Sequence, residues 1–567
     1  MKKILFLFCL TLSVSSCYDL DTQPFDRVSA GSFWKTEEHA LQGLMGVYAD
    51  MKQHDLFGLY NMLDNLTDIA VGYDPQGMGD IINGNFTDRT GIMVNRWRRG
   101  YDGIQRANNA LRNLAGMDLP DASKKVFMGE ARFLRGLYYF QMLNLFGGVP
   151  IYDETTDLNR DFNQLLLPRS SEAEVRAFIV ADLTAAIADL PVSYPAAQLG
   201  RATKGAAYAL RGRVYLYHKE WDKAIQDFEE IVYNKSNAYG YTLYNDYAGL
   251  FKLSGHNSSE MIFAIQNKGG VGFPYGMPFA HYLGTRSIFG SSWNNGMPTT
   301  TLADMYENRD GTPFDWNKHF PGYTTDNAVK RAAMMATQQS GRLVTVPDTA
   351  KLGEIYRNRD PRMTQTLVVP YAYQLGWNAN APRQMQLVLA TGVNENFGQI
   401  RNNRGWYTYV WRKFVPEGNL NGELTDRAHT PFNFPLIRLG DVLLMLAEAY
   451  NETNQLDKAI VELNKVRARS SMPGLNSGGA ALAVSTQEAM KQRIIHERAV
   501  ELAGEGHRYF DLKRWGLLKA YTAGVIEKSI VGDNLLTRTF QDRHVIWPIP
   551  AQEIEVNPAL TQNPGWQ

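Results

Sequence analysis

The sequence predicts a mainly α protein, with tetratricopeptide-like helical hairpins forming a right-handed scaffold, long aromatic- and glycine-rich loop insertions and little β structure. Three observations predict it. Residues 201–233, RATKGAAYALRGRVYLYHKEWDKAIQDFEEIVY, read as two helices joined by a short turn. Tyr208, Gly212 and Tyr215 share one face of the first helix, and Ala224 and Phe228 one face of the second. The same spacing returns at 443–466 with Leu443, Ala447, Tyr450, Ala459, Leu463 and Val466. A partial third copy holds Gly136 and Tyr139, with its second helix expected at about 172–190 after an insertion. Small residues stand where backbones must approach, so each hairpin buries its apolar face only by stacking on another.

Taken in order, the chain opens on MKKILFLFCLTLSVSS, two lysines before an apolar run too short to span a bilayer, which is the pattern of a secretory leader. Val14, Ser15 and Ser16 before Cys17 resemble a bacterial lipobox, so residues 1–16 are expected to be removed and Cys17 to carry lipid. Several acyl chains there would anchor durably, whereas one holds only marginally. The alternative is an ordinary secreted protein with a free cysteine. The other cysteine, Cys9, lies in the leader, so no internal disulfide is expected. Asp19 and Asp21 follow the anchor, compatible with display on the outer face.

Residues 29–53 read as the first core helix, capped near Ser32, with Leu41, Leu44, Val47 and Tyr48 at helical spacing. After a further helical stretch the chain becomes rich in glycine and asparagine from Gly72, a loop expected to expose Tyr73. Trp97, Tyr101, Ile104 and Ala107 again fall three and four apart, which makes Trp97 a core residue rather than a ligand platform. The scaffold is expected at about 29–235 and 434–520, with strong helices at 436–469 and 486–518. The insertion spans about 237–433. Its stretch from Gly269 to Tyr323 holds eleven aromatic residues and nine glycines, which no regular helical repeat accommodates. Loops this long are uncommon unless functional or disordered, and the aromatic content opposes disorder. The proline-rich tail is expected to lie extended on the surface.

Composition narrows the function. Hydrophobic residues make up 44% and charged residues 20%, as in a folded chain. Without Lys2 and Lys3, 56 basic side chains face 58 acidic ones, which argues against a nucleic-acid partner. His496, Glu497, Glu501 and His507 lack the spacing that sets two histidines one helical turn apart, so no metal is expected there; arginines and glutamates are expected to pair along that helix's exposed side. GGVGFPYG at 269–276 lacks the lysine and preceding strand of a phosphate cradle, and no cofactor is expected. A glycoside hydrolase needs two carboxylates flanking one bond, a geometry that spacing alone does not show.

Sugar binding needs flat rings beside amides and carboxylates. The insertion supplies Trp293 with Asn294 and Asn295, and Trp316 beside Asp315 and Asn317, on loops expected to be exposed. Tyr73 with Asp74, Tyr282, and Trp377 with Asn378 are further candidates. Each ring has a second reading as a buried anchor that holds its loop together.

Several stretches in common order resemble the SusD/RagB family of outer-membrane nutrient-binding lipoproteins: CYDLDTQP, FWKTEEHALQGLMGVY, GEARFLRGLYYFQMLNLFGGVPI, RNRDPRM, PLIRLGDVLLMLAEAYNE, IIHERAVELAGEGHRYFDLKRWG and HVIWPIPAQEIEVNPALTQNPGW. Gly504 departs from the family, which usually has a bulkier residue there. The resemblance implies one SusD-like domain over 17–567, a helical scaffold with a ligand site built from inserted loops, and no catalysis. It also implies a SusC-like TonB-dependent transporter as partner, with oligosaccharides, or peptides in some branches, as cargo. A secreted hydrolase and a pure scaffold for a protein partner are the remaining alternatives.

Overall fold

The computed structural model describes residues 33–566 apart from 157–161, 237–238, 273–274, 379 and 402–403; the leader, Ser32 and Cys17 lie outside the described residues. Among the described residues, eight helices form the stacked part of the scaffold: α1 (Glu37–Asp50), α2 (Gly91–Gly116), α3 (Asp121–Phe146), α4 (Glu172–Asp189), α5 (Lys204–Tyr217), α6 (Trp221–Tyr233), α7 (Leu439–Glu452) and α8 (Leu456–Arg469). α1 is capped by Thr36, whose side chain accepts the His39 N–H. Ser171 and Glu174 cap α4 reciprocally, which fixes the start of the helix expected at 172.

From α2 to α8 each helix packs on the next in sequence. The small residues explain how closely they do so. A Cβ on Gly212 would lie 2.6 Å from the Phe228 ring, and one on Gly136 would lie 3.3 Å from Leu183. Leu443, Ala447, Tyr450, Ala459, Leu463 and Val466 are all buried, as is Trp97. The protein is therefore mainly helical, as the periodicity predicts.

α6 packs directly on α7 even though the whole insertion separates them in the chain. Four short strands matter to its placement: β1 (Ala70–Gly72), β2 (Met261–Ile265), β3 (Gly296–Pro298) and β4 (Phe434–Arg438). β2 pairs antiparallel with β4 and closes the neck of the insertion. The stretch from 436 expected to be helical is thus strand as far as Arg438, because its backbone groups are taken by β2. β1 pairs antiparallel with β3, which ties the loop after the first helices to the middle of the insertion.

The charged stretch around 494–507 corrects the expectation of exposed ion pairs. α9 (Gln487–Glu501) carries Glu497 and Glu501 into the interior, 1% and 0% exposed. Arg438 bridges Glu260, Glu501 and Glu505 at 2.7–2.8 Å, and Arg362 bridges Asp360, Glu497 and Glu501 at 2.6–2.9 Å. Arg467 joins Glu307 to Glu497, and Lys413 meets Glu505 at 2.7 Å. Burial alone would raise the Glu501 carboxyl, but Arg469, Arg438 and Arg362 outweigh it and hold that group well below the ordinary carboxylate range. Glu260, Glu307, Asp360, Arg362 and Lys413 come from the insertion; the remaining partners come from the scaffold. The network is the joint between the two.

The tail departs from expectation as well. Trp547 is fully buried, its indole N–H donating to the Tyr509 hydroxyl at 3.0 Å and its ring edge-on to Phe146. An indole gains more by filling the end of α3 than by lying on the surface.

Candidate functional site

The pairing of β1 with β3 sets Gly72 opposite Gly296, so the residues after β1 face those before β3. Tyr73 therefore meets Trp293, its hydroxyl donating to the Trp293 carbonyl at 3.2 Å. Asp74 accepts a hydrogen bond from the Asn295 amide and another from the Gly77 N–H at 2.8 Å. Gly77 makes this tight turn possible, since a Cβ there would lie 2.4 Å from the Asn295 carbonyl oxygen. Burial raises the Asp74 carboxyl above its ordinary value, against the pull of those two donors.

Residues 293–295 are held to the short helix Phe279–Leu283 by main-chain bonds: Trp293 N–H to His281, Asn294 N–H to Gly284 and Asn295 N–H to Tyr282, at 2.7–2.9 Å. Rings follow one another across the result. His54 meets Tyr282 edge-on and bonds its hydroxyl at 3.0 Å; Tyr282 stacks on His281 at 4.5 Å; His281 meets Trp293 at 4.6 Å. Beyond the Tyr73–Trp293 bond, Tyr73 meets Trp406 at 5.6 Å. Trp293 is 37% exposed, while Tyr73 and Trp406 are partly exposed. Arg427 lies 5.6 Å over the Trp293 ring, and Arg404 lies over both Tyr73 and Trp406. Burial, with Arg427 adding to it, pushes the His281 imidazole down to about 4, so it is neutral at physiological pH.

The structure thus brings together Tyr73, Asp74, Tyr282, Trp293 and Asn294 from two distant parts of the chain. Exposure is not uniform among them. Asn294 is fully buried with φ +52°, a left-handed backbone that asparagine tolerates, so it shapes the turn instead of facing solvent. Tyr282 is 8% exposed and supports the rings around it. Trp377 stands apart, on the hairpin Tyr373–Asn378 with Ala381–Gln386, against Phe289 of the loop that leads to Trp293.

Trp316 and Asp315 lie elsewhere, and the exposure expected of Trp316 is corrected. Its ring is 4% exposed, stacks on Tyr323 at 4.8 Å and donates its indole N–H to Asp304 at 2.9 Å. Asp315 accepts the Asn317 N–H and caps that turn. Here the anchor reading holds, because four aromatic neighbours surround the ring, one stacked on it and two edge-on. Sequence reading passed over His281, Arg404, Trp406 and Arg427. The signal for two of them was the stretch RNNRGWYTY at 401–409, a tryptophan beside amides and guanidiniums in the same insertion.

Among the described residues no group of three or more histidine, cysteine or acidic side chains is placed to hold a metal, and no helix is long and apolar enough to cross a membrane.

Residues 259–566 match the model of a family described as the SusD family. The chain belongs to the SusD family. Residues 32–216 also match a second SusD-like model, described as starch-binding associating with outer membrane. Among relatives, SusD-like protein P25 of Formosa agariphila is 26% identical over 99% of this chain and 98% of its own length. The starch-binding protein SusD of Bacteroides thetaiotaomicron is 24% identical over 98% of this chain and 97% of its own. The crystal structure of a SusD-like carbohydrate binding protein from Bacteroides fragilis shares the fold, with a TM-score of 0.74 and 23% identity over 93% of this chain and all of that one. SusD-family membership accounts for the common order of the motifs from 129 to 566.

Proposed function

We propose that this SusD-family protein captures oligosaccharides or polysaccharides at the Trp293–Tyr73–Trp406 cluster, without cleaving them, and delivers them to a SusC-like TonB-dependent transporter. The observation that carries the reading is the cluster itself. Partly exposed rings from separate chain segments are held next to one another, with the half-buried Asp74 and two guanidiniums beside them. Ring faces suit the C–H faces of sugars and the polar groups suit hydroxyls. The names of the starch-binding and carbohydrate-binding relatives support the same class of ligand. In this reading Cys17 carries the lipid that tethers the protein to the outer membrane, with the ring cluster facing the cell exterior.

The test is titration calorimetry of the purified chain against a panel of purified polysaccharides, oligosaccharides and peptides, with the products monitored throughout. Saturable glycan binding without new reducing ends is the expected result. Released sugars would overturn the non-catalytic reading, and binding confined to peptides would overturn the glycan reading.

A further inference from the structure

Resting on the glycan-binding reading of this site, we propose that its ligand is an anionic glycan, one whose sugar carries a carboxylate or sulfate group next to the ring that stacks on Trp293 or Trp406. The argument starts from Arg404. Its side chain is exposed, and its guanidinium lies 4.8 Å over the Tyr73 ring and 5.1 Å over the Trp406 ring. Among the described residues it forms no ion pair. An exposed guanidinium resting over two rings leaves N–H donors accessible to solvent, and its planar fork matches a carboxylate or sulfate through two parallel bonds. Because the rings already restrict the side chain, little conformational entropy is lost when an anion arrives.

Of the carboxylates around the rings, Asp74 lies within electrostatic reach of Arg404 and offsets part of its charge, but none forms an ion pair with it among the described residues, and their hydrogen bonds go to other donors. Asp74 accepts from the Gly77 N–H and the Asn295 amide. Asp55 accepts from His54 at 2.9 Å and from Asn95 at 2.8 Å. Asp426 accepts the Ala428 N–H at 2.8 Å and faces His429 at 3.4 Å. Arg427, the second cation, is oriented by the carbonyls of Gly290 and Ser291 at 2.7 and 2.6 Å and keeps its charge beside Trp293. A neutral sugar packed here offers Arg404 only hydroxyl acceptors in exchange for its water, whereas an anionic substituent offers the stronger charge-assisted, two-pronged bond.

Matched polymers test the proposal: polygalacturonate against its fully methyl-esterified form, and a sulfated galactan against the same polymer desulfated, with poly-glutamate as an acidic peptide. Each is titrated against the full chain, Arg404→Gln, Arg404→Lys and Trp293→Ala, with circular dichroism confirming that every variant is folded. We expect at least one charged form to bind about tenfold or more tighter than its neutral partner, the strength of a charge-assisted bond. Arg404→Gln should abolish that preference, Arg404→Lys should retain part of it, and added salt should weaken the charged form alone. The carboxylate and sulfate pairs distinguish which anion is read. Equal binding of charged and neutral forms, unchanged in Arg404→Gln but weakened in Trp293→Ala, would overturn the anionic proposal and leave the glycan reading standing. Glycan binding untouched by Trp293→Ala would overturn both, as would poly-glutamate binding in place of any glycan.

Discussion

The joint beneath the insertion and the ring cluster upon it are both rich in arginine, and they use it in opposite ways. In the joint, Arg362, Arg438 and Arg467 are fully buried and each meets two or three carboxylates. In the cluster, Arg404 and Arg427 lie over aromatic rings and, among the described residues, form no ion pair, although Asp74 lies within electrostatic reach of Arg404. Burial explains the contrast. A buried charge without a partner is prohibitively costly, so an interior arginine is matched, whereas a half-exposed one keeps some water and can wait for a ligand. The joint fixes where the insertion sits; the cluster is what it presents.

The largest effect expected follows from breaking the joint. Glu501→Gln removes one charge facing Arg362, Arg438 and Arg469, and should cost about 3–5 kcal/mol in urea denaturation, the usual penalty for orphaning a buried ion-pair partner. A loss below about 1 kcal/mol would mean that the joint is not a structural network.

Two tryptophans sharpen the comparison next. Trp316→Ala should cost about 3–5 kcal/mol of stability through the cavity it leaves, with ligand affinity unchanged where the protein remains folded. Trp293→Ala should do the reverse, lowering affinity by about tenfold, as truncating an interface anchor does, with helical content intact. If Trp316→Ala weakened binding in a fully folded sample, the division between anchor and platform would fail.

Asp64 tests the rule of matched burial at its edge. Its carboxylate is buried and accepts the N–H groups of Gly504 and Gly506 at 2.8 and 3.1 Å in place of a guanidinium. Burial pushes it up to about 7, above its ordinary unfolded value near 4. The folded state then holds this proton more tightly between those values, so its contribution makes stability fall as pH rises from about 4 to about 7. Asp64→Asn should gain relative to the parent at pH 7.5 and lose that advantage at pH 4.5, read by denaturation at the two values. A constant difference would remove Asp64 from the account.

The smallest effect belongs to Gly504. Its φ of +81° is left-handed, and a Cβ would lie 3.3 Å from the Trp411 ring, so Gly504→Ala should cost about 1–2 kcal/mol by thermal unfolding, with no change in binding. This also explains why the departure from the family pattern is tolerated: glycine takes this backbone without strain.

The legible parts of the sequence were those governed by local periodicity. Gly212 against Phe228, Gly136 against the helix at 172–189, and the buried face from Leu443 to Val466 all follow from a 3.6-residue repeat, which each helix writes for itself. The candidate site was legible only residue by residue. Tyr73, Tyr282 and Trp293 stood out as rings among amides, but a ring on a loop reads the same whether it faces solvent, as Trp293 partly does, or anchors its loop, as Trp316 does. The arginines and glutamates of α9 were misread for a related reason. Helical charge normally marks the wet face, and nothing local reveals that Glu260, Arg362 and Arg438 arrive to enclose it.

By itself, then, the sequence determined the helical class, the stacking hairpins and the chemistry on offer in the insertion, because propensity and periodicity act within a few residues. Only the tertiary structure decided which of those side chains are exposed, paired or brought together. β1 on β3 joins Tyr73 to Trp293 and β2 on β4 closes the neck beneath them; both contacts link segments far apart in the chain, and their registers are set by long-range burial that no local pattern encodes.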